Sequence, residues 1–179
     1  NYNIINKFSD KIFIKVNDTI KALQDMAKYK RSLYDIPVVA ITGSVGKTST
    51  KDIVASVMKQ KYNVLKTEGN LNNHIGLPLM LLRLKEHDAM CIEMGMNHKG
   101  ELSILTDILK PTIAVITNIG TAHIGNLGSR ENILNAKLEI LEGLQTKDVI
   151  INNDNDLLNK WNNKHNDYNV ITYGIDNKS

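Results

Sequence analysis

The sequence predicts an α/β protein in which a mostly parallel sheet is flanked by helices. Short apolar strands alternate with amphipathic helices along the 179 residues, which favours a parallel sheet with helical crossovers. The strands are apolar along their whole length, as is typical of strands covered on both faces. A glycine-rich loop also joins an apolar strand to a helix at residues 38–50. Ligands bind at the carboxyl ends of parallel strands, so polar residues that follow a strand are the candidates for a site.

The first elements precede that loop. Residues 11–16 read as a short strand, and Asp18 or Thr19 is placed to cap a helix that runs to about Ser32. Residues 34–37 form a connector, because the residue before a proline avoids the helical region. Further strands are predicted near residues 38–42, 63–66, 89–94, 113–117, 148–152 and 170–173. Helices are predicted near residues 48–60, 75–84, 100–109, 129–143 and 154–164.

Composition narrows the class of protein. Hydrophobic residues make up 42% of the chain, enough for a substantial core, and the net charge of +3 is too mild to favour nucleic acid. The single cysteine, Cys91, lies in an apolar run, which predicts a buried thiol and suits a reducing cytosol. No apolar stretch reaches the length needed to cross a bilayer. We expect a cytoplasmic monomer that neither binds nucleic acid nor inserts into a membrane.

The loop from Thr42 to Thr48 predicts a polyphosphate site. Its two glycines let backbone N–H groups converge on phosphate oxygens, and the helix that follows adds the dipole of its N-terminus. Lys47 supplies a positive charge for the terminal phosphates, and the Thr48 hydroxyl is a Mg²⁺ ligand in such loops. The common pattern has a glycine six residues before the lysine, where this chain has Ile41. The alternative is a glycine-rich turn that binds nothing.

Glu93 stands near the carboxyl end of the apolar strand that begins at Ala89. A carboxylate in that position costs energy unless it is paired or bound to a cation. Magnesium prefers one or two carboxylates together with phosphate oxygens and water, so Glu93 suits a metal ligand that faces Thr48. The alternative is a salt bridge at the end of the strand.

Two polar residues follow the strand near 113–117. Asn118 and His123 lie on the loop at the same edge of the predicted sheet as the phosphate loop. This position makes both candidates for contact with a nucleotide. An ordinary surface histidine is an equally good interpretation of His123.

Lys137 lies within the predicted helix near 129–143. With about 100° per residue, it falls near the centre of the apolar face, while the polar face takes Asn135, Glu139 and Glu142. A lysine at the edge of that face would extend its charge to water along an apolar stem, but a central position makes this difficult. Burial would lower its pKa and leave a neutral, nucleophilic amine.

The loop after the second core strand packs amides and a hydroxyl between glycines. Thr67, Asn70, Asn72 and Asn73 have the side chains that hydrogen-bond sugars and phosphates without adding charge. The alternative is a polar turn that caps the next helix.

Four segments together resemble the Mur ligases, the ATP-dependent amide-forming enzymes of peptidoglycan precursor synthesis. They are residues 42–49, 67–76, 93–101, and 117–123 followed by Ala136 and Lys137. The second and third segments are similar to the MurF branch, which adds D-Ala-D-Ala to UDP-MurNAc-tripeptide through an acyl phosphate. The implied fold is a P-loop NTPase-like central domain. A sister ligase, a P-loop kinase or NTPase, and a non-catalytic nucleotide-binding module remain as alternatives.

The resemblance implies roles for individual residues. ATP would be held by Gly43, Ser44, Val45, Gly46, Lys47, Thr48, Ser49 and Asn118. One Mg²⁺ would be bound by Thr48 and Glu93, and a second by His123 and by Lys137 after its carbamylation by CO₂. Lys47, His123 and Lys137 would be the catalytic residues. The UDP-sugar substrate would meet Thr67, Asn70, Asn72 and Asn73.

The resemblance also implies a division of the chain. Residues 1–36 would be the end of an N-terminal domain with a connecting helix, and residues 37–179 an incomplete central ATP-binding domain. The C-terminal ligase domain would lie outside this sequence, so the chain alone is expected to be inactive as a ligase. One departure concerns position 125, where the family pattern leads us to expect an acidic residue and this chain has Gly125.

Overall fold

The computed structural model describes residues 11–176 and shows a six-stranded, fully parallel sheet. The strand order is β2-β3-β1-β4-β5-β6. The strands are β1 (Val38–Thr42), β2 (Val64–Lys66), β3 (Ala89–Glu93), β4 (Ile113–Ile116), β5 (Asp148–Asn152) and β6 (Asn169–Tyr173). The helices are α1 (Thr19–Ser32), α2 (Lys47–Met58), α3 (Gly76–Leu81), α4 (Glu101–Leu109), α5 (Ile124–Leu127), α6 (Arg130–Leu138) and α7 (Asp156–Asn162). The predicted fold class is confirmed.

The sheet is apolar on both faces because helices cover both. Alternate residues of β1 point to opposite sides, so Val38 and Ala40 join a large cluster with helices α1, α3, α4, α6 and α7. Val39 and Ile41 join a smaller cluster with Ala55 of α2. This two-sided burial explains why the strands are apolar along their whole length.

The register of the sheet brings three loops to one edge. Strand β1 lies between β3 and β4, with Ile41 opposite Glu93 and Thr42 opposite Ile116. Because all three strands are parallel, the loops that follow them meet at their carboxyl ends. The phosphate loop, the end of β3 and the loop after β4 therefore share one location.

Helix α1 forms as predicted and is tied to the domain. The Asp18 carboxylate accepts hydrogen bonds from the backbone N–H groups of Ile20 and Lys21 at 2.8 and 2.9 Å, which caps the helix. At the other end, Arg31 is buried and its Nε donates to the carbonyl of Leu109 at 2.8 Å. Arg31 thereby satisfies a carbonyl at the end of α4, where helices leave such groups without partners.

Two expectations about secondary structure are wrong. Residues 11–16 form no strand, and Ile12 and Ile14 are 93% and 81% exposed. A strand needs a neighbour for its N–H and C=O groups, and the described residues offer none there. The predicted helix 129–143 gives way after Leu138 to a 3₁₀ turn at Glu139–Leu141, and the short helix α5 was not expected.

Glu139 is a further residue whose position differs from the prediction. Its side chain is buried with 5% exposure rather than lying on a polar face. Its carboxylate accepts the backbone N–H of Gly100 at 2.8 and 2.9 Å and that of Ser103 at 3.4 Å. The reason is that α4 begins at this point and its N–H groups and dipole favour an anion.

Among residues 11–176, none of the helices combines the length and apolarity required of a membrane span.

Candidate active site

The phosphate loop depends on glycine at two positions. Gly43 has φ +153°, and a Cβ on it would stand 1.9 Å from the hydroxyl oxygen of Thr117. Gly46 has φ +79° and precedes the first residue of α2. Both conformations are ones that residues with a side chain rarely adopt. The displaced first glycine therefore has a steric reason, since β1 and β4 lie too close at this point for a side chain.

The loop after β4 braces the phosphate loop. Asn118 accepts the Ser44 N–H through its carbonyl at 3.1 Å and the Val45 N–H through its side-chain oxygen at 2.9 Å. The Thr117 hydroxyl donates to the Val45 carbonyl at 2.6 Å, and the Ser44 hydroxyl accepts the Gly120 N–H at 2.9 Å. The side chains of Ser44 and Asn118 thus hold the shape of the loop.

Helix α2 opens with the charged and hydroxyl side chains of the loop. The Lys47 ammonium donates to the carbonyl of Gly43 at 2.9 Å, which folds it over the loop. The Thr48 hydroxyl donates to Oε2 of Glu93 at 2.8 Å, and Ser49 is exposed beside it. The first N–H groups of a helix have no partner within the helix, so this turn presents donors to an anion.

Glu93 is fixed on every side at the end of β3. It is 3% exposed, and its Oε1 accepts a hydrogen bond from the Asn72 amide at 2.8 Å. Its backbone N–H donates to the hydroxyl of Thr67 at 2.9 Å. Thr67 is fully buried, so its side chain supports Glu93 and does not face the cleft, contrary to the expectation of substrate contact. A second buried residue, Lys51, donates to the Thr67 carbonyl at 3.0 Å and was missed from sequence.

The three asparagines of the next loop have different positions. Asn70 is exposed, whereas Asn72 and Asn73 line a cleft. The Asn73 side chain also accepts the N–H groups of Ile75 and Gly76 at 3.1 and 2.8 Å, just where α3 begins. The alternative interpretation, a polar turn that caps a helix, therefore holds for Asn73.

A cleft with a volume of about 260 Å³ joins these loops at the edge of the sheet. It is lined by Lys47, Asn72, Asn73, His74, Gly95, Met96, Asn97, Glu101 and His123. Glu101 was not among the predicted site residues, although it begins α4. Burial works against its charge, but N–H groups from Asn97 and the His98 ring hold the pKa of Glu101 below its usual range. The cleft thus has a carboxylate facing the cations.

Lys137 is buried with 2% exposure, as the helical periodicity predicts. Burial, followed by the charge of Lys47, lowers the pKa of Lys137 to about 8. Burial and then the charges of Lys137 and Lys47 lower the pKa of His123, which stands in a left-handed conformation with φ +66°. Within the described residues, the Lys137 amine has no hydrogen bond or ion pair. Its neutral fraction near pH 7 is therefore far larger than that of an ordinary lysine.

Comparison with known proteins then decides the family. The profile described as Mur ligase middle domain matches residues 41–179. The chain belongs to the Mur ligase middle-domain family. The resemblance read from the four sequence segments is confirmed.

Several relatives of this Mur ligase domain carry the same name. The UDP-N-acetylmuramoyl-tripeptide--D-alanyl-D-alanine ligases of Synechocystis and Bacillus subtilis are 45% and 49% identical over 90% and 77% of this chain. A MurF crystal structure from Acinetobacter baumannii superposes on 90% of the chain with a TM-score of 0.85 and 36% identity. The structure of MurF from Thermotoga maritima in complex with ADP superposes on 94% of the chain with a TM-score of 0.84 and 33% identity.

The domain spans only part of each relative. It covers 36% and 30% of the two ligases and 36% and 39% of the two solved chains, about a third of their length. Folylpolyglutamate synthetase of Helicobacter pylori, at 16% identity and a TM-score of 0.61, shares the fold alone. The names of the ligase relatives do not favour the kinase or sister-ligase alternatives.

One location in this Mur ligase domain has unmodified side chains that are suitable ligands for magnesium. No group of three His, Cys, Asp or Glu side chains converges among residues 11–176, so a cage built from protein alone is not expected. Thr48 and Glu93 instead provide two hard oxygens 2.8 Å apart beside the phosphate loop. That set suits Mg²⁺, which keeps water and phosphate oxygens as further ligands.

A second cation fits only after a chemical change. The positive charges of Lys47 and of a protonated Lys137 would repel a metal near His123, as they already lower the pKa of that histidine. A carbamate on Lys137 would replace one of those charges with anionic oxygens, the ligands that Mg²⁺ prefers. Gly125, where an acidic residue was expected, has open space around its Cβ position and supplies no carboxylate.

Proposed function

We propose that this chain is the ATP- and Mg²⁺-binding part of a cytoplasmic ligase that adds D-Ala-D-Ala to UDP-MurNAc-tripeptide. The observation that carries the proposal is the 2.8 Å hydrogen bond between Thr48 of the phosphate-loop helix and Glu93 of β3. It unites a phosphate site and a metal site in a domain whose relatives bear that ligase's name. Residues 37–179 would form the central domain, and residues 1–36 the end of the preceding domain with its connecting helix.

The phosphate loop holds ATP through backbone N–H groups and one cation. Lys47 exchanges the carbonyl of Gly43 for the terminal phosphates, and Ser44 and Asn118 keep the loop in its shape. Thr48 and Glu93 would hold a magnesium ion beside the loop, where it would offset the negative charge of the phosphates. Because these groups are already positioned by the fold, little reorganisation is needed when the nucleotide binds.

Lys137 enters this function as a neutral amine. Its nitrogen adds to the carbon of CO₂, a N–C bond forms, and the proton that is released passes to solvent. The modified Lys137 and His123 would be the residues that hold a second magnesium ion. Bound there, such an ion would supply charge neutralisation for the phosphates and the substrate carboxylate.

The reaction proceeds through two displacements. An oxygen of the tripeptide carboxylate attacks the terminal phosphorus of ATP, the bond from that phosphorus to the bridging oxygen of ADP breaks, and an acyl phosphate and ADP are formed. The amine of D-Ala-D-Ala then attacks the acyl carbon, phosphate leaves, and the amine proton passes to solvent. Asn72 and Asn73 line the cleft and, with the exposed Asn70 of the same loop, would hydrogen-bond the UDP-sugar part of the substrate.

Binding is tested with this chain itself. Titration calorimetry with ATP and Mg²⁺ should show binding that Lys47→Ala weakens by at least tenfold, because it removes the cation that meets the phosphates. Lys59→Ala is the matched control, since Lys59 is an exposed lysine at the other end of α2. Equal affinity of wild type and Lys47→Ala would contradict the phosphate site.

Ligation is tested in a complete enzyme. Residues 41–179 replace the matching segment of the Bacillus subtilis relative, and ADP release is followed with UDP-MurNAc-tripeptide and D-Ala-D-Ala. We expect turnover only when both substrates are present, and its loss in the chimera with Glu93→Gln. A chimera that binds ATP but releases ADP regardless of D-Ala-D-Ala would point to an NTPase instead.

A further inference from the structure

Thr42, the last residue of β1, has a hydroxyl without a partner. The residue is fully buried, and its Oγ1 is the one side-chain oxygen shielded from solvent within residues 11–176 that makes no hydrogen bond. Other buried threonines are satisfied: the hydroxyl of Thr106 donates to a carbonyl at 2.8 Å, that of Thr117 to a carbonyl at 2.6 Å, and that of Thr67 accepts an N–H at 2.9 Å. The Thr42 hydroxyl is therefore an exception within this fold.

The fold itself has no use for this hydroxyl. The backbone carbonyl of Thr42 accepts the N–H of Thr117 at 2.9 Å, so the strand pairing does not involve the side chain. A buried hydroxyl without a partner costs free energy, whereas valine has nearly the same shape and carries no such cost. A buried polar group that destabilises the free protein and has no structural role is expected to form its hydrogen bond with a bound ligand.

The location of Thr42 identifies the site it faces. Its side chain lies on the same face of β1 as that of Ala40, which packs in the cluster that contains Ala136 of α6. Lys137, the next residue of α6, is buried and also has no hydrogen bond among the described residues. Directly after Thr42, the carbonyl of Gly43 holds the ammonium of Lys47. Thr42 thus adjoins the phosphate loop at the carboxyl end of β1, on the face of the sheet that α6 covers.

The charges around Thr42 indicate whether the missing hydrogen-bond partner is an anion or a cation. The Lys47 ammonium is held at the residue after Thr42, its charge acts on Lys137, and the charges of both lysines act on His123, so the surroundings of the loop are cationic. Building on the function proposed above, we infer that the Thr42 hydroxyl donates a hydrogen bond to an anionic oxygen that enters with the cofactors. The two sources of that oxygen are a CO₂-modified Lys137 and the terminal phosphate of the nucleotide.

The test compares Thr42→Val with Thr42→Ser in the full 179-residue chain. Without nucleotide, metal or CO₂, we expect Thr42→Val to unfold at the same temperature as wild type or higher, since it removes an unsatisfied group. With ligand, the same variant should lose part of the thermal stabilisation and bind about tenfold more weakly, as expected for the loss of a hydrogen bond to an anion. Thr42→Ser keeps the hydroxyl and should retain the ligand response.

Thr106→Val is the matched control, because Thr106 is equally buried but its hydroxyl has a partner far from the cleft. It should lower the unfolding temperature of the free chain and leave the stabilisation by ligand unchanged. This opposite pattern distinguishes a hydroxyl that serves the fold from one that serves a ligand.

Separate additions identify the source of the oxygen. A loss of response in Thr42→Val to bicarbonate and Mg²⁺ alone supports the modified lysine, and a loss confined to ATP and Mg²⁺ supports the phosphate. An undiminished response to both, or a free Thr42→Val chain less stable than wild type, overturns the inference. If wild type itself shows no response to ATP and Mg²⁺, the proposed function fails first, so the two failures are distinguishable.

Discussion

Gly43→Ala places a methyl group where β1 and β4 leave no room. The new Cβ would stand 1.9 Å from the hydroxyl oxygen of Thr117, 3.1 Å from its Cβ and 3.2 Å from the backbone N of Asn118. The first distance is well inside van der Waals contact, so the Thr117 side chain must rotate. Rotation would break the 2.6 Å hydrogen bond from Thr117 to the Val45 carbonyl, one of the bonds that shape the phosphate loop.

The size of the effect follows from three contributions. Overpacking costs about 1–3 kcal/mol, and a buried hydroxyl and carbonyl left without partners cost about 1–3 kcal/mol. The conformation at φ +153° adds strain of about 1–3 kcal/mol for a residue with a side chain. Allowing for partial relaxation, we expect a loss of about 4 kcal/mol, or roughly 8–16 °C in unfolding temperature for a domain of this size.

The assay is equilibrium unfolding in urea, with a double-mutant cycle. Thr117→Ala removes the oxygen that the new methyl group meets, so Gly43→Ala should cost about 1–2 kcal/mol less in that background. Gly125→Ala is the control, because nothing lies within 4 Å of a Cβ at that position. It should change stability by less than about 1 kcal/mol.

Two results would refute this reasoning. One is a Gly43→Ala protein with wild-type stability, which would mean that the strands separate at no cost. The other is additivity with Thr117→Ala, which would place the strain somewhere other than this contact.

Three further outcomes are expected. Burial and a neighbouring cation lower the pKa of Lys137 to about 8 from 10.5, so between these values the unfolded chain binds more protons and stability rises with pH. In buffer free of CO₂ and metal, the free energy of unfolding measured in urea should rise by about 2 kcal/mol more for wild type than for Lys137→Met between pH 7.5 and 9.5. If the two proteins show the same dependence of stability on pH, the lowered pKa of Lys137 is contradicted. Glu139→Gln should lower the free energy of unfolding by about 1–3 kcal/mol in the same assay, because the N–H of Gly100 loses a charged acceptor. Glu142→Gln, at an exposed position, should leave stability unchanged, and equal effects of the two substitutions would rule out the capping role of Glu139. Burial raises the pKa of Cys91 to about 11, so iodoacetamide at pH 8 should label only the unfolded chain by mass spectrometry, and rapid labelling of the native chain would show an open core.

Local patterns were enough to predict most of the elements. Asp18 caps α1 because its side chain reaches N–H groups two and three residues away, a contact set by the chain itself. The burial of Lys137 followed from its place among apolar residues on one helical face. The loop between β1 and α2 was predictable because two glycines stand close together directly after an apolar run.

Contacts between distant segments were beyond such patterns. Glu139 looked like a solvent-facing residue because nothing near it in sequence reveals that α4 begins beside it. Thr67 looked like a substrate contact, yet the register of β3 brings the Glu93 N–H onto its hydroxyl. The apolar residues 11–16 looked like a strand, but strand formation depends on a neighbour that the described part of the chain does not provide.

The sequence by itself determined that this chain is an α/β domain with a glycine-rich loop after its first core strand and a buried lysine, and it indicated the family to which the chain belongs. These features rest on periodicity and on residues adjacent in the chain. Only the tertiary structure decided that Asn118 braces the loop, that Glu139 caps α4 and that the Thr42 hydroxyl is left without a partner. Each of these depends on which strands are neighbours, and strand order is a global result of packing that no local segment encodes.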